Sequence, residues 1–315
     1  MESVSDGRSG RREGVRRGKG GCSQGAYMWF IMHPVYFVEL FAPIVLCFSL
    51  WFEYRSQALK DFLFRAIYLI PMAWIAEDSC IRIFGFYQYS PEWYTLIDKM
   101  PFMVALIWPF VIISDNRLVN EVLRNHRLRK ARPYVSLLTG FLIVWDACMM
   151  ESLSVHAGLW SWNEPGFFGV PFIGVMGWGI FGAIALEGFR RVPPRWWFIL
   201  LLVVPVLTHV ALVVSWWGGF RWVLRSEVSP GILVGAAWIV SLLLTFVVVR
   251  FRIRLSPTLL LSRVPGALLF AVLAGLWCRD FPALLAFGAS FVPPYFCATV
   301  LSFRDKAAEV VGGVA

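Results

Sequence analysis

Between Val144 and Trp178 the chain reads VWDACMMESLSVHAGLWSWNEPGFFGVPFIGVMGW. Asp146, Glu151, His156 and Glu164 stand there among Trp145, Trp160, Trp162, Phe167 and Phe168, and the stretch closes on Gly169, Pro171, Gly174, Gly177 and Trp178. A carboxylate beside hydrocarbon is costly and calls for a reason. Upstream lies a second group of the same kind: Glu77, Asp78, Arg82, Tyr87, Tyr89, Glu92 and Asp98. Acids mixed with aromatic rings suit a reaction that passes through a carbocation. A carboxylic acid gives a proton to an alkene, ring faces stabilise the cation, and a second carboxylate guides water. A desolvated carboxyl group holds its proton more tightly, so it is ready to donate one.

Each residue also has a plainer reading. Asp78 and Arg82 are four apart and fit a helical ion pair. Tyr87, Tyr89, Trp160 and Trp162 fit an interfacial aromatic belt. Gly169, Gly174 and Gly177 fit close helix packing, and His156 fits a polar loop. Asp146 stands between VW and ACMM inside an apolar span. An acid so placed is either functional or a hydrogen-bonding strut between helices.

The elements that position these residues follow from composition. Hydrophobic residues make up 58% of the 315 and charged residues 16%, against about 25% charged in an ordinary soluble domain. Segments 165–186, 196–220, 228–249 and 281–303 contain no Lys, Arg, Asp or Glu, and about 20 apolar residues cross a bilayer. They lack the alternation of a membrane β-barrel. The expected fold is therefore an all-α, polytopic transmembrane helical bundle of about eight to nine spans. Its domain comprises residues 28–305, between a disordered basic tail at 1–27 and a C-terminal tail at 306–315. Met28 and Met32 are alternative starts.

Further apolar segments at 34–52, 62–75, 100–114, 133–150 and about 259–278 complete the set, the second ending at Glu77-Asp78. The net charge of +9 is read as cytoplasmic basic loops rather than as a nucleic-acid footprint. Lys and Arg recur between spans so as to put the 77–99 and 151–164 loops on one face, opposite the basic loop 115–132. The six cysteines form no C-x-x-C pair and the four histidines no H-x-x-x-H, which argues against a zinc or iron–sulfur site. No phosphate-cradling glycine motif is present either, so the expected chemistry uses neither a metal nor a nucleotide cofactor.

The ordered motifs AED (76–78), GFYQY (85–89), WD (145–146), GLWSW (158–162), PGFFGVP (165–171) and GW (177–178) resemble the integral-membrane carotenoid biosynthesis family. That family includes the carotenoid 1′,2′-hydratases. The resemblance spans about residues 74–190. It implies cofactor-independent addition of water to the terminal alkene of an acyclic carotenoid, by a hydro-lyase of the bacterial cytoplasmic membrane. Carried over, Glu77, Asp78 and Asp146 would be the acid and water-positioning residues. Tyr87, Tyr89, Glu151, Trp160, Trp162, Phe167 and Phe168 would line the substrate. The implied partners are a carotenoid or other isoprenoid lipid, the bilayer and other carotenoid-biosynthesis enzymes. The chain departs from the family at Glu151-Ser152, where Asp-Pro is common, and at Gly174, where Asn is frequent.

Two other functions compete. An isoprenoid cyclase or prenyltransferase would also use cationic chemistry, although no magnesium-binding D-D-x-x-D motif is present. A non-catalytic carotenoid- or lipid-binding protein would use the same acids as struts.

Overall fold

The computed structural model describes residues 33–125, 127–221 and 228–312. The tail expected at 1–27 lies outside the described residues. The chain is a helical bundle in which, among the described residues, eight helical segments are long and apolar enough to cross a membrane, and the protein is an integral membrane protein.

The helices are α1 (Pro34–Arg55), α2 (Leu59–Phe84), α3 (Phe102–Val122), α4 (Val135–His156), α5 (Phe172–Arg191), α6 (Leu200–Ser215), α7 (Pro230–Arg250), α8 (Pro257–Trp277), α9 (Pro282–Ala289) and α10 (Val292–Gly312). A 3₁₀ segment at Pro194–Ile199 leads into α6, and a wide π-type turn at Trp216–Phe220 continues it. Among the described residues four short strands lie between helices: β1 (Tyr87–Tyr89), β2 (Leu96–Ile97), β3 (Met100–Pro101) and β4 (Trp160–Trp162).

Three boundaries differ from the sequence expectation, the first two because an acid reads as an end signal and the third because an unbroken charge-free run hides an internal break. Helix α2 does not stop at Glu77-Asp78 but continues two turns to Phe84. Glu151 is not in a loop but inside α4, which runs on to His156. The last apolar segment is two helices, broken at Ser290 and Phe291, with Pro293 and Pro294 in the first turn of α10, where a missing N–H is harmless.

Helix α5 lies against α4 at a close crossing. A Cβ on Gly179 would stand 2.5 Å from the Gly140 carbonyl oxygen, and one on Gly140 would stand 2.7 Å from that of Gly179. Neither helix tolerates a side chain there, so backbone approaches backbone. The main core gathers α1, α2, α3, α5 and α6 around Leu69, Met72, Ala105, Ile112, Phe181 and Val204. The later helices dock beside this core, α8 against α1, α3 and α4, and α9 against α4 and α7.

The 77–99 and 151–164 segments meet, as the alternation of basic loops anticipated. β1 pairs antiparallel with β4, placing Tyr87 opposite Trp162, Gln88 opposite Ser161 and Tyr89 opposite Trp160. Backbone bonds extend the ribbon at both ends, from Asn163 N–H to the Phe86 carbonyl at 2.8 Å and from Ser90 N–H to the Leu159 carbonyl at 3.0 Å.

Candidate active site

Side chains alternate across a strand, so Tyr87 and Tyr89 share one face of the ribbon, as do Trp160 and Trp162. Gln88 and Ser161, between them, are exposed. The chain reaches β1 from α2 through Gly85, whose φ of +58° gives the left-handed cap that ends the helix. The aromatic face of the ribbon roofs a cavity of about 70 Å³. On α2, Ala73, Glu77 and Cys80 line it at helical spacing, and on α5 so do Gly174, Gly177, Trp178 and Phe181. Trp108 of α3, Glu151 of α4, and Thr208, His209 and Leu212 of α6 complete the wall.

Two carboxyl groups face this cavity, and each is held by aromatic donors. Glu77 accepts the Tyr87 hydroxyl at 3.0 Å, the Tyr89 hydroxyl and the Trp108 indole N–H. Glu151, buried, accepts indole N–H groups from Trp160 at 2.7 Å, Trp162 at 3.1 Å and Trp178 at 2.7 Å. Neither carboxyl group pairs with a cation among the described residues. Desolvation by burial pushes the Tyr87 and Tyr89 phenols well above their ordinary pKa, so both stay protonated donors.

The rings also lie on one another. Tyr87 and Trp162 are 4.6 Å apart between centroids, Tyr89 and Trp160 5.6 Å, and Trp108 and Trp178 4.7 Å. Trp162 rests on Gly174, where a Cβ would come within 2.6 Å of the indole. Helix α6 is drawn to α2 by His209, whose Nε2 donates to the Ala76 carbonyl at 3.0 Å and lies 3.4 Å from the Ser79 hydroxyl. No three metal-ligating side chains converge among the described residues. The wall can therefore offer carboxyl groups, hydroxyls, indole N–H groups and ring faces to a guest.

The structure brings together Glu77, Tyr87, Tyr89, Glu151, Trp160 and Trp162, and sets the other sequence-derived candidates apart. Asp78, one residue from Glu77, faces away from the cavity. It accepts the Lys99 backbone N–H at 2.9 Å and Arg82 Nε at 2.9 Å, while Arg82 also pairs with Asp98. Asp146 joins a separate buried cluster. There Arg263 of α8 pairs with both Asp146 and Asp115 and donates to Ser114 at 3.0 Å, and the Tyr295 hydroxyl donates to Asp146 at 2.9 Å. Phe167 and Phe168 pack under α9, 6.3 and 5.2 Å from the Phe287 ring. Glu164 lies 3.5 Å from Arg221.

The sequence candidates omitted Trp108, Trp178, Thr208 and His209. Trp178 sits in the GW motif, and His209 is a polar residue within a charge-free span, so both left a trace. Trp108 left none, being one more aromatic in an apolar run.

A family model described as carotenoid biosynthesis protein matches residues 35–219. The match takes in every residue of the cavity wall and leaves α7 to α10 outside it. No curated protein and no solved structure matches the chain.

Proposed function

Because the chain belongs to the carotenoid biosynthesis family, and so has a role in making carotenoids, we propose that it hydrates the terminal C1′=C2′ double bond of an acyclic carotenoid. The observation that carries this reading is the pair Glu77 and Glu151, two carboxyl groups at one aromatic cavity with no cation among the described residues to neutralise either. Elsewhere in the bundle Asp78 and Asp146 are each engaged by an arginine, as a strut would be. A pair at a cavity without a counter-ion supports proton transfer instead.

A carotenoid is far longer than a cavity of about 70 Å³, so the site receives the branched end of the chain while the remainder stays in lipid. One carboxylic acid delivers its proton to the less substituted alkene carbon, and the π electrons form the new C–H bond. The tertiary cation lies against the faces of Trp108, Trp162 and Trp178, where ring quadrupoles attract it. Water then forms the C–O bond and the second carboxylate takes its proton, giving a tertiary alcohol. The sum is alkene plus water, with no change of oxidation state, and it requires neither a redox group nor a nucleotide. Residues lining the site in this reading are Tyr87, Tyr89, Trp160 and Trp162, with Trp108 and Trp178. The setting is the bacterial cytoplasmic membrane, beside the enzymes that supply the desaturated substrate.

Expression in cells that accumulate lycopene or γ-carotene tests the proposal by mass spectrometry of extracted pigment. A gain of one water per end group is expected. An unchanged mass with a cyclised end group would instead identify a cyclase, and unmodified pigment retained by the purified protein would identify a binding protein.

A further inference from the structure

The two carboxyl groups differ in the chemistry of what holds them. We propose that Glu77 carries the single proton of the pair and donates it to the alkene, while Glu151 remains ionised and receives the proton of the attacking water. This assignment rests on the hydratase reading, and the measurements below separate the two.

An indole N–H can only donate a hydrogen bond, whereas a phenol hydroxyl can donate or accept. All three partners of Glu151 are indoles: Trp160 and Trp162 on Oε2, and Trp178 on Oε1. A protonated Glu151 would find no acceptor for its O–H among these three partners, each of which can only donate. Glu77 is held differently. Its Oε1 takes the Trp108 N–H, but its Oε2 meets the hydroxyls of Tyr87 and Tyr89. If Oε2 is protonated, either tyrosine can turn to accept. Because both hydroxyls meet Oε2, one can accept while the other still donates. Two anions at one cavity repel, which favours one shared proton, and only Glu77 has neighbours that accommodate it.

The cycle follows from this asymmetry. Glu77 Oε2–H breaks as the alkene carbon gains the hydrogen, leaving Glu77 anionic beside the cation. Water adds to the cation and its proton passes to Glu151, which lacks an acceptor for it. The proton then returns to Glu77, restoring the starting state with one water consumed and one alcohol formed.

Infrared spectroscopy of the purified full-length protein reads the proton's position directly. A protonated-carboxyl C=O band that shifts in D₂O is expected in the wild type, lost in Glu77→Gln and retained in Glu151→Gln. In D₂O, Glu151→Gln should place deuterium on the alkene carbon of added lycopene without forming alcohol, and Glu77→Gln should do neither. Should Glu151→Gln misfold because its amide N–H₂ faces the Trp178 N–H, the double variant E151Q/W178F removes that clash and serves in its place. A band lost in Glu151→Gln but kept in Glu77→Gln would overturn the assignment, as would the absence of any such band. A wild type with the expected band and no hydration activity would leave the proton where proposed and defeat the hydratase reading.

Discussion

At the scale of single residues, four acids near aromatic rings separate by what holds them. Glu77 and Glu151 are bound by neutral donors at a cavity, and Asp78 and Asp146 by arginines away from it. Glu77→Gln and Glu151→Gln should each lower alcohol formed per unit of folded protein by about 10²- to 10⁴-fold, the usual loss for a positioned acid or base. Asp78→Asn and Asp146→Asn should instead lower the amount of folded protein while leaving turnover of the remainder near normal. Pigment analysis paired with a folded-protein assay distinguishes these outcomes. The tyrosines predict a pH dependence. An ordinary phenol titrates near about 10, and burial raises Tyr87 and Tyr89 well above that value. Their contribution to stability is thus complete below the ordinary phenol range and is lost progressively as pH rises from there through the raised values. Melting followed to alkaline pH should therefore hold up to the ordinary phenol range and show the loss from these two phenols above it. The acids and the four aromatics of the ribbon were legible in sequence because carboxylates are rare in apolar spans. Their partners were not, because Asp146 meets Arg263 across 117 positions and no local spacing records such a pairing.

At the scale of elements, the site depends on a ribbon joined from two loops and on one missing side chain beneath it. Gly174 leaves room for Trp162, which in turn donates to Glu151. Gly174→Val should push the indole off α5, break that hydrogen bond and abolish most activity. Gly235→Ala, with no atom within 4 Å of the added carbon, should behave as wild type. Comparing product yield and tryptophan near-UV circular dichroism in the two variants tests this. The meeting of the two loops was legible from the alternation of basic segments, which assigns loops to faces. The extents of α2 and α4 were not, because an acid that faces an internal cavity or an arginine remains within its helix. Only its partners reveal that it is not at an end.

At the scale of the whole molecule, the family-matched region holds the complete cavity wall, while α8 and α10 reach back into it through Arg263 and Tyr295. Asp115 is 1% exposed and Asp146 is largely enclosed, so Arg263 is their counter-ion, and removing one partner of such a buried group typically costs about 3–5 kcal/mol. This has a bearing on how the protein is made. A ribosome synthesises Asp115 and Asp146 ahead of Arg263, by 148 and 117 residues respectively, so for an interval both aspartates are present without the arginine that balances them. A nascent chain at this stage should be a substrate for quality-control proteolysis. A gene ended after Phe220 should therefore yield little stable protein despite encoding the entire cavity, and Asp115→Asn with Asp146→Asn should restore part of it. Pulse-chase lifetimes of the truncated chains, with and without the two substitutions, measure this. Equal lifetimes would mean that the wait for Arg263 carries no penalty.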